Sequence, residues 1–359
     1  MMSTRFGSKL LGLQMARGVA ALMVVLYHSG RLLGTYSGFS HDAYGNFFRF
    51  GHSGVDFFFV LSGFIIFYVH RKDIGNPSGL TAYLWKRATR IYPIYWFVIS
   101  LIILQGILLP SSGRFSLAEM LQSISLVPSG HDLILGVAWT LEHEILFYAM
   151  FSLLIVSRRI GLIAFIAWFS VVAFNSLHPM NGFIGFIGSA YHIDFMFGMC
   201  AAVLLGSKWS LSVPYRTLLW SGFAALLVSG VRDDAGIISD YNDVLCVLSY
   251  GSAFTLILIG IVGGELLGWL RIWNPFVYLG AMSYSLYLFH VPVISRLYHV
   301  FFAFKMAQHT PPMVLALAGV SVGLLSSAIL HSMIEKPALD YLQGLNVFRH
   351  RHRVSAVSN

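Results

Sequence analysis

Hydrophobic residues recur along the chain in runs of about 20, which is the length an α-helix needs to cross the hydrocarbon core of a membrane. Short polar segments separate these runs. We therefore predict an all-α fold, a polytopic integral membrane bundle of about ten transmembrane helices. The predicted spans lie near residues 11–33, 53–70, 91–109, 138–156, 160–177, 189–206, 216–230, 244–263, 276–303 and 312–333.

The composition excludes a soluble globular protein. The 359 residues are 57% hydrophobic and 11% charged, whereas soluble domains carry roughly 25% charged residues. Basic residues concentrate in alternate polar segments, which predicts that both termini lie in the cytoplasm. The formal charge of +8 lies between spans rather than in a basic patch, so we expect a lipid bilayer and no nucleic acid as partner.

For three further segments the sequence predicts a position relative to the membrane. The first run, which follows Arg5 and Lys9, lacks a small-residue cleavage pattern and is expected to be a retained span. The apolar stretch Leu117–Val127 is too short to cross and is expected at the outer interface. The segment 232–243, which holds Asp233, Asp234, Asp240 and Asp243, is expected to be a solvated outer loop.

The first span contains two ionisable residues, Arg17 and His28. Such side chains are costly in lipid unless they are paired or face a polar cavity, so each is a candidate functional group. They are eleven residues apart, which is close to three helical turns and places them on one side of the helix, about 16 Å apart. Either both line one polar channel, or Arg17 reaches the interface and His28 binds a nearby carbonyl.

Two carboxylates are predicted at a depth similar to that of His28. Asp56 lies near the start of the second span and Glu144 near the start of the fourth. A carboxylate beside an imidazole fixes its tautomer and raises its basicity, as a general base requires. Asp56, Glu144 and His28 are therefore the candidate catalytic residues, although Asp56 is equally suited to capping its own helix.

Other candidates flank these groups. His290, two residues before Pro292, either lines a substrate cavity or holds the kink that proline introduces. At the cytoplasmic side Arg87, Arg90 and Tyr92, with Arg17, form a basic entrance suited to phosphate. Alternatively these arginines only anchor the helix, as we expect for Lys86. No zinc signature, glycine-rich phosphate loop or nucleophile elbow is present, so no metal is expected.

Six ordered blocks of the sequence resemble the motifs of one known family. They are the Arg17 and His28 pair, Gly54–Phe64, Arg87–Pro93, Trp139–Tyr148, Ser283–His290 and Glu335–Pro337. On these residues the chain resembles the membrane acyltransferase-3 family over nearly its whole length. Within that family it is most similar to the exopolysaccharide-production acetyltransferases of the ExoZ type. Many relatives carry two adjacent acids after Trp139, whereas Glu142 and Glu144 here flank His143, which leaves the role of either acid open.

The resemblance implies an acetyl-CoA or other acyl-CoA donor and a carbohydrate acceptor, an exopolysaccharide or a lipid-linked oligosaccharide. It also implies a membrane acyltransferase domain over residues 1–340, without a second, esterase-like domain. Residues 341–359 are then expected to be a basic cytoplasmic tail that contacts anionic lipid. Trp139, Tyr284 and His290 are candidate substrate-binding residues, and Arg17, Arg87, Arg90 and Tyr92 are candidate donor-binding residues.

The hypothesis is that coenzyme A phosphates bind Arg17, Arg87 and Arg90 while His28, oriented by Glu144 or Asp56, takes the proton of a sugar hydroxyl. A rival interpretation is a polysaccharide or proton-coupled transporter, in which the same acids and histidine form a proton relay. The two halves of the sequence show no similarity of the kind that transporters built from inverted repeats have. A sensor or scaffold with a degenerate site is a third interpretation.

Overall fold

The computed structural model describes residues 10–35, 44, 48–108, 115–128, 133–237 and 241–345, and the elements in these ranges are helical. In chain order the α-helices are α1 (Leu11–Gly34), α2 (Gly54–His70), α3 (Leu80–Leu108), α4 (Leu117–Ser125), α5 (Trp139–Val156), α6 (Arg158–Leu177), α7 (Gly182–Ile187), α8 (His192–Gly206), α9 (Tyr215–Asp234), α10 (Val244–Leu266), α11 (Asn274–Ala281), α12 (Ser283–Ala303), α13 (Pro312–Leu330) and α14 (Lys336–Gly344).

The helices divide between two compact units. The first unit holds α1, α2, the part of α6 from Trp168 onward, α7 to α12 and α13 as far as Ser327. The second unit holds α3, α4, α5, the part of α6 up to Ala167 and α14. The predicted basic tail lies mostly outside the described residues, because the described chain ends at residue 345.

The prediction of an all-α membrane bundle is confirmed. Within the described ranges, nine helical segments are long and apolar enough to cross a membrane. The predicted span that is missing from these nine is 216–230. It forms α9, a helix of 20 residues whose ends carry Arg216, Arg232, Asp233 and Asp234. The orientation of the chain across the membrane stays a prediction from its charge distribution.

The structure corrects several predicted boundaries. The span predicted at 276–303 is two helices, α11 and α12, which are separated at Met282. The span predicted to start at residue 91 begins eleven residues earlier, at Leu80, and continues through Pro93. A proline is tolerated inside a membrane helix because neighbouring groups satisfy the freed carbonyl. The last predicted span, 312–333, instead ends as an α-helix at Leu330 and passes through a π-helical turn, His331–Glu335.

The short apolar segment predicted at the outer interface forms α4. Its first turn is a capping box, in which the Ser116 side chain accepts the Glu119 backbone N–H and the Glu119 carboxylate accepts the Ser116 backbone N–H at 2.7 Å. This hydrogen bond lowers the pKa of the Glu119 carboxyl. Leu126, in the left-handed region at φ 51°, ends the helix.

The acidic segment 232–243 is only in part the solvated loop that we predicted. Asp233 lies at the end of α9 and is fully buried. Asp243 caps α10 by accepting the backbone N–H of Leu245 at 2.8 Å and that of Cys246 at 3.4 Å. Asp240 lies outside the described residues. Helix α9 therefore extends into the segment as far as Asp234, and residues 235–237, which follow it, are exposed.

Helix α1 is held in place at its start and along one side. The Glu265 carboxylate of α10 accepts the backbone N–H groups of Leu11 and Gly12, both at 2.8 Å. These amides have no partner inside their own helix, and a carboxylate also suits the positive end of the helix dipole. Gly18 and Gly280 then bring the backbones of α1 and α11 into direct contact, because a Cβ at either position would overlap the other backbone.

We expect replacement of Glu265 by Ala to destabilise the protein. Two charge-assisted hydrogen bonds to α1 would be lost, at a cost of about 2–3 kcal/mol. Thermal unfolding of the purified protein in detergent should show a clear fall in Tm. Asp340→Ala, at an exposed acid of α14, is the control and should leave Tm unchanged. Equal Tm values for the two variants would contradict the capping role.

Candidate active site

Arg17 and His28 both contact α12. Arg17 donates from Nη2 to the Ser283 hydroxyl at 2.9 Å, and Nδ1 of His28 lies 3.2 Å from Nε2 of His290. Ser283 and His290 are seven residues apart, which is about two turns of α12. The two polar residues of α1 therefore lie on the side of that helix that faces α12.

The hydrogen bonds of the two histidines assign their tautomers. Nδ1 of His28 is 3.0 Å from the Val24 carbonyl, and Nδ1 of His290 is 2.8 Å from the Leu286 carbonyl. A carbonyl only accepts, so both Nδ1 atoms carry hydrogen when the rings are neutral. Nε2 of His290 is then an acceptor, and the His28 Nδ1–H is shared between this nitrogen and the Val24 carbonyl.

In this tautomer Nε2 of His28 carries no hydrogen and can accept a hydrogen bond. In the described part of the chain it has no hydrogen-bond partner, since the ring uses Nδ1 for both of its contacts. His28 is partly exposed, whereas His290 is fully buried. A histidine with its Nδ1–H held and its Nε2 open is arranged to accept a proton.

The sequence suggested that Asp56 orients His28, but Asp56 makes no hydrogen bond with this histidine. Asp56 is fully buried in the first turn of α2 and lies close enough to the Asp194 side chain of α8 for their charges to interact. Asp56 Oδ1 and both Asp194 oxygens have no hydrogen-bond partner among the described residues. Two buried carboxylates this close would repel each other, which favours a proton on at least one of the two acids.

Arg17 lies where α11 ends and α12 begins. Besides Ser283, the first residue of α12, its guanidinium contacts the Gln14 side chain at 3.1 Å. Tyr284 follows Ser283 and is partly buried. The interruption between α11 and α12 thus places a cation beside the N-terminal end of a helix within the first unit.

In the second unit Arg90 forms an ion pair. Its Nη1 donates to Glu335 Oε1 at 3.1 Å, and the other oxygen of the fully buried Glu335 lies 2.8 Å from Nδ1 of His331. Glu335 and His331 are the ends of the π-helical turn. Glu335, the first residue of the Glu335–Pro337 block that resembles a family motif, is therefore a buried carboxylate that binds Arg90.

Arg87 and Glu144 belong to one cluster in the second unit, although the sequence suggested opposite sides of the membrane. The Tyr148 hydroxyl donates to Glu144 Oε1, and the Arg87 guanidinium lies 5.8 Å from the centre of the Tyr148 ring. Tyr83 packs against the same tyrosine and donates to its backbone carbonyl at 3.2 Å. Arg87 Nε is buried without a hydrogen-bond partner in the described residues.

The remaining predicted residues of the second unit make structural contacts. The Tyr92 hydroxyl donates to the Ser125 carbonyl at the end of α4, at 3.0 Å. Trp139 contacts His143 edge to face, with ring centres 5.4 Å apart. Glu142 is buried, and its Oε1 has no partner among the described residues.

Sequence reasoning missed two acidic sites in the first unit. Asp194 falls inside the predicted span 189–206, where an ionisable residue is itself the signal that identifies a candidate. Asp233 was assigned to a loop, and its partner His52 precedes the predicted second span by one residue. Nε2 of His52 lies 2.7 Å from Asp233 Oδ2. The described residues contain no group of three or more His, Cys, Asp or Glu side chains placed to hold a metal ion.

Comparison with known proteins identifies the family. The family model described as an acyltransferase domain, Acyl_transf_3, matches residues 10–332. The chain is also 27% identical over 322 residues to the exopolysaccharide production protein ExoZ of Rhizobium meliloti (strain 1021), an alignment that covers 82% of this chain and 92% of that protein. No solved structure matches the chain. The chain therefore belongs to the membrane acyltransferase-3 family, as its six motif blocks indicated.

Proposed function

We propose that this protein transfers an acetyl group from acetyl-CoA to a sugar hydroxyl of an exopolysaccharide or lipid-linked oligosaccharide, in the bacterial inner membrane. The family supports acyl transfer, and the name of the relative, an exopolysaccharide production protein, supports a saccharide acceptor. The observation that carries the proposal is the histidine pair, in which His28 presents an open Nε2 on a helix that is fixed at its start and along one side.

In the proposed reaction Nε2 of His28 takes the proton of the acceptor hydroxyl as that oxygen attacks the thioester carbonyl carbon. The carbon–oxygen bond forms, the tetrahedral intermediate collapses, and the carbon–sulfur bond breaks. The proton on Nε2 then passes to the leaving thiolate, which becomes free coenzyme A thiol. No proton is gained or lost overall, so one imidazole acting first as base and then as acid is sufficient.

His290 is the positioning residue of this reaction. When His28 takes up a proton it becomes an imidazolium, which is costly in a site of low dielectric constant unless its charge is spread. Nε2 of His290 already accepts from the His28 Nδ1–H, so the positive charge is shared by the two rings. In serine hydrolases a buried carboxylate has this role.

The acyl donor is proposed to bind through arginine side chains. Guanidinium groups match phosphate oxygens well, and Arg87 is the better candidate of the two in the second unit, because Arg90 is already paired with Glu335. Arg17 stays a candidate donor-binding residue, as the sequence predicted. Trp139 and Tyr284 stay candidates for substrate contact, whereas the Tyr92 hydroxyl is already used by α4.

We expect His28→Ala to lower kcat/KM by about 10²–10⁴-fold while the protein stays folded. Release of coenzyme A thiol by the purified protein measures this directly. In cells that lack the native protein, expression of the wild type should restore acetyl groups on the surface polysaccharide, as measured by mass spectrometry. Expression of the variant should not. His299→Ala, at an exposed histidine of α12, is the control. An unchanged acetyl content in cells without the protein would contradict the proposed function.

We expect His290→Phe to lower kcat by about 10²-fold with little change in either KM, because imidazolium stabilisation acts in the transition state and not in substrate binding. His290→Gln keeps an acceptor oxygen for the His28 Nδ1–H and should recover part of the loss. Initial-rate kinetics with both substrates varied provide the measurement. A rise in KM with unchanged kcat would assign His290 to substrate binding instead.

We expect Arg87→Ala to raise the KM for acetyl-CoA by about tenfold, through loss of a charge-assisted hydrogen bond to phosphate. Lys86→Ala is the matched control, because Lys86 is the exposed neighbour on α3. A parallel titration with acetyl-pantetheine, which lacks the nucleotide phosphates, should show no difference between wild type and Arg87→Ala. Equal effects of the Lys86 and Arg87 variants would indicate that both are membrane anchors.

A further inference from the structure

A buried histidine–aspartate pair lies in the first unit, and the proposed reaction does not use it. His52, in the turn before α2, contacts Asp233 at the end of α9, with Nε2 and Oδ2 2.7 Å apart. Asp233 also accepts the Tyr250 hydroxyl at 3.2 Å and forms an ion pair with Nε of Arg49 at 3.3 Å. Both hydrogen bonds go to Oδ2, whereas the buried Oδ1 has only the ion-pair contact with Arg49.

This pair has a defined tautomer. Arg49 already balances the charge of Asp233, so His52 is not needed as a cation. Since the carboxylate accepts, Nε2 of a neutral His52 carries the hydrogen and Nδ1 carries the lone pair. In the residues that the structure describes, this Nδ1 has no hydrogen-bond partner.

The His52 ring is also held by aromatic side chains. Tyr241 stacks on it with ring centres 3.8 Å apart, and the edges of Tyr250 and Tyr27 meet it at 5.4 and 5.9 Å. A ring fixed in this way cannot turn to satisfy Nδ1 elsewhere. The lone pair of Nδ1 therefore points in one fixed direction, as is typical of a preorganised acceptor in a binding site.

Arg49 presents donors at the same place. Its Nε contacts Asp233 and Tyr241, while its two terminal nitrogens have no partner among the described residues, and its side chain is 35% exposed. A sugar carries adjacent hydroxyl groups that both donate and accept. One hydroxyl can donate to His52 while a neighbouring oxygen accepts from Arg49, which a ligand with only donors or only acceptors cannot do.

The pair lies close to His28. Tyr27 precedes His28 in α1, and its ring is 5.1 Å from that of His28 and 5.9 Å from that of His52, centre to centre. A single tyrosine ring thus connects the two imidazoles. We infer that His52, Asp233 and Arg49 form a hydrogen-bonding subsite for the saccharide acceptor, which binds a sugar unit beside the one that is acylated. This inference rests on the proposed function.

The test uses a deacetylated oligosaccharide prepared from the surface polysaccharide of the host. His52→Gln keeps an N–H for Asp233 but has no acceptor at the position of the ring Nδ1, so the KM for the oligosaccharide should rise about tenfold while kcat changes less than about threefold. His299→Gln is the matched control and should leave both constants unchanged. A loss confined to kcat, or none, overturns the subsite.

A binding measurement separates this inference from the proposed function. Calorimetry measures binding of the same oligosaccharide to His28→Ala and to the double variant that carries both His28→Ala and His52→Gln. This binding does not depend on turnover. About tenfold weaker binding by the double variant supports the subsite even if no acetyl transfer is detected. Equal binding, or no binding to either protein, overturns it even if acetyl transfer by the wild type is observed.

Discussion

The backbone contact between α1 and α11 determines where the polar groups of the first unit lie. Gly18 and Gly280 allow the two helices to touch, and Glu265 fixes the start of α1 by accepting its first amides. Because α12 follows α11 after a single residue, a helix docked on α11 is also docked on α12. Arg17 and His28 then meet Ser283 and His290, and a shift of α1 by one residue would turn both side chains away by about 100°.

Membrane burial explains why His28, the proposed catalytic base, is paired with a second histidine. A carboxylate beside His28 would carry a full negative charge that needs its own partners in a site of low dielectric constant. A neutral imidazole accepts the same hydrogen bond at lower desolvation cost. Among the buried acids of the first unit, Asp233 is balanced by Arg49, and Asp56 lies close to Asp194, where two negative charges would repel each other.

Much of the fold and part of the site were predictable from the sequence. Runs of about 20 apolar residues predict membrane helices whatever the tertiary structure, and the spacing of Arg17 and His28 predicts a shared side because helical periodicity is local. The partners were not predictable in this way. His290 is 262 residues from His28 and Glu265 is 254 from Leu11, and no local pattern indicates which helices touch. Asp233 was misassigned for the same reason, since its burial depends on His52 and Arg49.

The histidine pair also favours acyl transfer over proton transport. A proton relay needs groups that accept on one side and release on the other. Here a proton taken up at Nε2 of His28 can be shared with His290, but the next group is the Leu286 carbonyl, which accepts a hydrogen bond and has no proton to release. The proton must therefore leave from the nitrogen where it entered. The base in acyl transfer works in this way, because it takes a proton from the hydroxyl and gives the same proton to the thiolate.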